Sequence, residues 1–358
     1  MVLEANLEMN REDAVRDAFR NQIKAATELG SPFVARLSRL AAERLTRDTA
    51  VGRALLDWAG DASINNDLVP ARFAGSLHAF VLSGQDPALK ALYPPQDTDD
   101  ETLWQAIEHA FETHGDFIIA RLQSPPQTNE IRRCNALLPG FLTIAEIFEK
   151  PLDLLEVGAS AGLNLQWDRY RYDLGGFELG DPASPVLLQP DWQGPPPPNA
   201  EITIASRLGC DLNPLDVTSA EDRLRLMSYV WADQPDRLQR LSAALDLAVN
   251  DPPPVERADA LEWLPRELVK PPTGAVRVVY HSIAWQYLPA VLRARGEATI
   301  TEAGNRATKS TPLARLQMEA DDKPDGATIS LQIWPGGEKR ELGRVDFHGR
   351  WVKWKGWG

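Results

Sequence analysis

The sequence predicts an α/β protein, an open parallel sheet with helices on both faces preceded by an all-helical stretch. Three observations carry this prediction. Residues 10–150 show helical periodicity and no convincing alternating strand. From Pro151 onward, short apolar runs alternate with helix-like segments, the pattern of a parallel sheet. Proline clusters separate the periodic stretches. The boundary is therefore placed near residue 150, with a helical domain over 1–150 and a sheet domain over 151–358.

Within the first stretch, Asn10 before Arg11-Glu12-Asp13 predicts a helix N-cap followed by first-turn acids. Leu103, Ile107, Ala110, Phe111, Phe117 and Ile118 recur at helical spacing and predict one helix over Asp99–Leu122. A further helix is predicted over Thr128–Phe148, kinked at Pro139-Gly140. Its polar start, Thr128 to Arg133, reads either as helix capping or as part of an acceptor pocket. Beyond Pro151, Leu152–Val157 reads as a buried parallel strand. Strands are also predicted over Glu201–Ser206, Val255–Ala258, Ala275–Tyr280, Leu313–Met318 and Thr328–Trp334, with a helix over Asp222–Ala248. Gly175-Gly176 between alternating runs predicts a hairpin insertion over about 166–200. The tail, Arg344 to Trp357, reads as a final edge strand, with aromatics packed and lysines turned to solvent. Proline clusters at 94–95, 125–126, 195–198, 252–254 and 271–272 mark connections.

Composition excludes several function classes. Of 358 residues, 43% are hydrophobic and 25% charged, an ordinary globular profile. Acidic residues outnumber basic ones 51 to 38, and the net charge of −13 argues against a nucleic-acid partner. The acidic start lacks the apolar core of a signal peptide, and no run approaches a membrane span. Cys134 and Cys210 cannot form a disulfide framework. A cytoplasmic protein is expected. Glu108 to His114 lacks the spacing of a zinc site, so no metal is expected.

The densest chemical signal is Leu154-Leu155-Glu156-Val157-Gly158-Ala159-Ser160-Ala161-Gly162-Leu163-Asn164. An apolar strand ends in a carboxylate, and a loop of small residues leads into a helix. Glycines allow a ligand to lie against the backbone, and a helix start offers free N–H groups. Two further strand ends carry acids, at Gly209-Cys210-Asp211-Leu212-Asn213-Pro214 and at Asp259-Ala260. Open α/β sheets bind ligands at such carboxyl ends.

The set Glu156-x-Gly158-x-x-x-Gly162-x-Asn164, Gly209-x-Asp211-x-Asn213-Pro214 and Asp259-Ala260 resembles the class I S-adenosylmethionine-dependent methyltransferases. The resemblance implies a Rossmann-like sheet, S-adenosylmethionine as cofactor and a small-molecule acceptor. It implies that the loop with Glu156, Gly158 and Gly162 holds the methionine moiety, Asp211 the ribose hydroxyls and Asp259 the adenine. Ala159, Ser160, Asn164, Asn213 and Ala260 complete the implied cofactor set. The stretch from Tyr280-His281-Ser282 to Pro289 would then lie beside the sulfonium and the acceptor, with His281 as base and Tyr280 and Tyr287 in the pocket, under a helical lid. Gly162 and Asp211 stand 49 positions apart, longer than one helix and one strand require, and Asp181 is the fallback for the ribose role. The Asn/Asp-Pro-Pro-Tyr/Phe signature of amino-group methylases is absent. Across nearly its whole length the chain also resembles an uncharacterised bacterial family, through stretches such as Cys210 to Asp216 and Asp346 to Trp351. That resemblance implies no activity.

Two other readings remain. One is a non-catalytic binding protein with the same fold. The other is an α/β-hydrolase, because Gly158-Ala159-Ser160-Ala161-Gly162 also matches G-x-S-x-G. Ser160 would be its nucleophile, Asp259 the orienting acid and His281 or His348 the base.

Overall fold

A computed structural model describes residues 2–64, 66–270 and 274–358, with residues 2–10 as backbone only. Pro271-Pro272, read above as a connection, lies outside the described residues. The chain divides into two units. One runs up to Thr128 and takes in Ala220–Gln239; the other comprises Asn129–Ser219 and Arg240–Gly358.

The first unit opens with seven helices: α1 (Val2–Glu28), α2 (Pro32–Arg44), α3 (Ala50–Leu56), α4 (Val69–Ser83), α5 (Pro87–Lys90), α6 (Asp100–Thr113) and α7 (Gly115–Leu122). Side-chain caps start several of them. Ser31, Thr49 and Asp99 accept the amide hydrogens of Val34, Gly52 and Thr102, which the helix itself leaves unpaired. Helix α4 is buried on nearly all sides, and Phe73 meets Phe19 edge-to-face at 5.5 Å. Asn10 is not a cap, because α1 begins at Val2 and runs through it. The helix predicted over Asp99–Leu122 breaks at His114, whose non-helical backbone ends α6; its ring packs 4.5 Å from that of Phe80.

The second unit begins with Asn129 and a turn of 3-10 helix at Ile131–Arg133, followed by α8 (Cys134–Phe148). Residues 129–150 thus belong with the sheet and not with the helices before them. The reason is packing. A Cβ on Gly140 would come within 2.5 Å of Leu316, and Phe141 meets Tyr280 edge-to-face at 5.1 Å. The Pro139-Gly140 pair lets α8 approach the sheet this closely.

Next come β1 (Leu152–Val157), β2 (Arg171–Asp173), β3 (Glu178–Leu179), β4 (Leu187–Leu188), β5 (Asp191–Gln193) and β6 (Ile204–Asp211). Strand β1 is buried along its whole length, as its apolar run predicts. Strands β2 and β3 form the hairpin expected around Gly175-Gly176, and β4 adds to it. The chain then forms α9 (Ala220–Ser228) and α10 (Pro235–Val249). One helix was expected over Asp222–Ala248. It breaks at 229–234 because those residues are drawn into contacts of the first unit. There the Tyr229 hydroxyl donates to Ser124 O, and Asp233 accepts Ser31 Oγ at 2.6 Å and Phe33 N at 2.8 Å.

The remaining elements are β7 (Val255–Arg257), α11 (Ala260–Val269), β8 (Val276–Ser282), α12 (Ala290–Asn305), β9 (Leu313–Ala320), β10 (Ala327–Trp334), β11 (Glu338–Val345) and β12 (Trp351–Trp354). The nine-stranded sheet has the order β5-β12-β11-β10-β9-β8-β1-β6-β7. Its pairs from β9 to β7 are parallel, while β10 and β11 run antiparallel to their neighbours. Successive side chains of a strand face opposite sides. Accordingly Leu316 of β9 meets α8, while Arg315 beside it bonds Glu297 of α12 at 2.8 Å. The predicted single tail strand is two, parted by a turn at 346–350. Neither is an edge, because β5 from the insertion pairs in parallel with β12. Among the described residues no helix is long and apolar enough to cross a membrane.

Candidate site at the strand ends

Counting only the parallel strands, the order β7-β6-β1-β8-β9 is 3-2-1-4-5 in chain sequence. The connections change direction between β1 and β8, and ligands of open α/β sheets lie outside the carboxyl ends at such a point. The loop Gly158–Gly162 leaves β1 there. Its amides are already engaged: Gly158 and Ala159 donate to Cys210 O at 2.9 and 3.0 Å, and Ser160 donates to Asp211 Oδ2 at 2.9 Å. Ala161 and Leu163 both donate to Asn129 Oδ1, at 3.2 and 3.0 Å. The loop is thus anchored by its own protein, and it is not an open cradle of N–H groups.

The glycines also serve packing. A Cβ on Gly158 would meet Ala284 Cβ at 2.7 Å, and one on Gly162 would meet Pro253 at 2.7 Å and Val255 at 2.8 Å. The space that the sequence reading assigned to a ligand is filled by neighbouring loops. Ser160 differs. Its backbone is left-handed (φ 55°), and its buried Oγ has no hydrogen-bond partner among the described residues. A triad would place a base on that oxygen, so the nucleophile reading lacks its central contact. Asp259 is likewise committed, capping α11 by accepting Leu261 N at 2.8 Å, with Ala260 as first helical residue.

Asp211 ends β6 half-exposed. Each carboxylate oxygen accepts one amide, Oδ2 from Ser160 and Oδ1 from Asn213 at 2.9 Å. A carboxylate offers about four lone-pair positions, so both oxygens keep acceptor capacity. Asn213 Oδ1 accepts from Arg257 at 3.0 Å. Asn164 is buried, its Oδ1 accepting the Cys134 thiol at 3.2 Å.

Glu156 is buried, and its hydroxyl neighbour is Tyr280 at 3.3 Å. Burial pushes its carboxyl well above the usual range, and the nearby Asp211 charge adds to this. The folded protein therefore holds a proton there that the unfolded chain releases. Stability from this group is full below its ordinary pKa and falls as pH rises from there toward the raised folded value. Glu156→Gln removes that loss, so its melting temperature gains on wild type as pH rises above the ordinary carboxyl range. Melts of the two proteins at rising pH check it, and parallel curves would contradict the assignment.

His281 is fully buried. Its Nδ1 lies 2.6 Å from Glu319 Oε1, and its Nε2 lies 3.1 Å from an Arg315 nitrogen. Arginine can only donate, so Nε2 accepts and Nδ1 carries the hydrogen. Burial, more than Glu319 opposes it, holds its pKa below the ordinary value. With both nitrogens engaged and no exposure, His281 is not the expected base. Tyr280 is buried on the opposite face, with burial pushing its hydroxyl pKa up. Tyr287 alone of the three is displayed, 72% exposed. Sequence reasoning missed Glu319, and it set Asn129 in a helix start or acceptor pocket without its role as an anchor; both lie 30 or more positions from the loops they hold.

A family described as "Uncharacterized protein conserved in bacteria (DUF2332)" matches residues 16–354, spanning both units. The chain belongs to this family. No curated protein and no solved structure matches the chain. Family membership carries no activity with it, so the chemistry has to be argued from the strand ends.

Proposed function

We propose that the second unit is an S-adenosylmethionine-dependent methyltransferase domain acting on a small-molecule acceptor. One observation carries the reading: Asp211, with acceptor capacity to spare, ends the strand beside β1 at the reversal of a 3-2-1-4-5 strand order. Adjacent carboxylate oxygens suit the paired hydroxyls of a ribose. The unpartnered Ser160 Oγ, one residue-contact away through its own amide, adds a polar group in need of a partner. The nucleoside end of the cofactor fits this donor set. The glycine loop contributes shape, its amides being taken.

When bound, S-adenosylmethionine supplies an electrophilic methyl group. Asp211 would hold the ribose end in register, and the loop from Ile283 to Tyr287 would exclude water and orient the acceptor. Orientation and desolvation are the larger part of such a displacement. Because His281 and Tyr280 are committed to buried bonds, this reading takes an acceptor that presents its own lone pair. The same commitment favours the second reading, cofactor binding without turnover.

Calorimetric titration with S-adenosylmethionine and S-adenosylhomocysteine tests both. Saturable heat is expected, weakened about tenfold or more in Asp211→Asn, as for a charge-assisted hydrogen bond of about 1.5–3 kcal/mol. No heat from either ligand at about millimolar concentration, where a ligand binding with only about −4 kcal/mol still registers, removes both readings. Formation of S-adenosylhomocysteine with a panel of small acceptors separates the first from the second.

A further inference from the structure

Four residues other than glycine adopt a left-handed backbone among the described residues, and two of them flank the reversal point. Ser160 (φ 55°) follows β1, and Ile283 (φ 49°) follows β8. For a β-branched residue this conformation is a true outlier, which persists only when its surroundings impose it. What imposes it at Ile283 is visible. Ile283 N donates to Met318 O at 2.8 Å, which ties the residue to β9. One residue further along β9, the Glu319 carboxylate gathers the next three amides, those of Ala284 and Trp285 at 3.1 Å and of Gln286 at 3.4 Å. His281 Nδ1 donates to the same carboxylate at 2.6 Å. Trp285 is stacked on His281 at 4.8 Å, and the Arg315 guanidinium lies 4.8 Å over its ring. The outcome is that Ala284 is set against the Gly158 position.

We infer that Glu319, aimed by His281, is a positioning residue that holds the strained turn Ile283–Gln286 as one wall of the site at the reversal point. It makes no claim on the reacting atoms. It rests on the reading that this crevice is the binding site, but its first test needs no ligand. A carboxylate that accepts three amides of a strained turn has a thermodynamic signature: the clamp and the strain are coupled. Where glycine replaces the strained residue, the turn no longer depends as much on the carboxylate.

The experiment is a double-mutant cycle on the full chain with Glu319→Gln, Ile283→Gly and the pair, read by thermal melting. Glu319→Gln is expected to lower the melting temperature by about 5 °C, and by about half as much in the Ile283→Gly background. Equal losses in the two backgrounds overturn the inference. Should Glu319→Gln fail to fold, hydrogen exchange on the wild-type protein decides instead. The amides of Ala284, Trp285 and Gln286 are expected to exchange as slowly as those of β8, and exchange at loop rates overturns it. S-adenosylhomocysteine titration, run well below melting, then reads position. A fall of about fivefold in affinity in Glu319→Gln supports the positioning role, and an unchanged affinity overturns it. Failure of the cofactor reading is distinct, showing as no heat with wild type.

Discussion

Replacing Arg277 by alanine is expected to lower the stability of the second unit by about 3–5 kcal/mol, the range for breaking a buried ion pair by removing one partner. Arg277 of β8 stands in register beside Asp153 of β1, and its Nε donates to Asp153 Oδ2 at 2.6 Å. Ser206 of β6 donates to the same carboxylate, so three adjacent strands are tied by one group. Arg277 also donates to Glu267 O at the end of α11. Its removal leaves the buried Asp153 carboxylate with Ser206 but without its cationic partner. At about 2–4 °C per kcal/mol for a unit of this size, melting falls by about 10 °C. The control is Asp153→Leu combined with Arg277→Met, which removes both charges and is expected to recover much of the loss. If the single variant melts within about 2 °C of wild type, less than 1 kcal/mol is at stake and the pair is not holding the strands.

The second large effect lies in the glycine loop, where two substitutions two residues apart are expected to act in opposite directions. Gly162→Ala places a methyl group at φ 75° and within 2.8 Å of Pro253 and Val255. Left-handed backbone costs about 1–2 kcal/mol and overpacking about 1–3 kcal/mol more, so a loss of about 2–5 kcal/mol is expected. Ser160→Gly relieves a left-handed residue and removes a buried hydroxyl that has no partner. Against the entropy of a new glycine, about 0.5–1 kcal/mol, the net is a gain of up to about 1 kcal/mol. Denaturant unfolding checks both. Under the proposed function, Ser160→Gly is then a more stable protein that binds S-adenosylmethionine less well. A variant improved in both respects would separate Ser160 from the ligand.

The centre of the sheet was legible because β1 and β8 are buried along their whole length. Leu152–Val157 reads as such a strand from its residues alone; Glu156 lies near its end, Asp211 ends β6, and Asp259 caps the helix that follows β7. What was not legible depends on partners distant in sequence. His281 looked like a free base because Arg315 and Glu319 stand 34 and 38 positions further on. Gly158 and Gly162 looked like ligand contacts because neither Ala284 nor Pro253 announces where it will fold back. The helix expected across 229–234 fails for the same reason, since Asp233 finds Ser31 and Phe33 some 200 positions earlier. Local periodicity sees one face of one element, and these corrections all come from what meets that face.

The parallel pairing of β5 with β12 has a consequence for synthesis. Trp351 pairs with Asp191, a residue made 160 positions before it. At about 5–20 residues per second, β5 waits on the order of ten seconds or more on the ribosome for the strand that receives it. Closing so long a loop adds little to the equilibrium cost, which grows only with the logarithm of length. It weighs instead on time, because distant pairings are slow to form. The nascent second unit therefore carries an unmatched strand through most of its own translation. Its outer sheet is the part to watch for chaperone dependence and for aggregation when expression is fast.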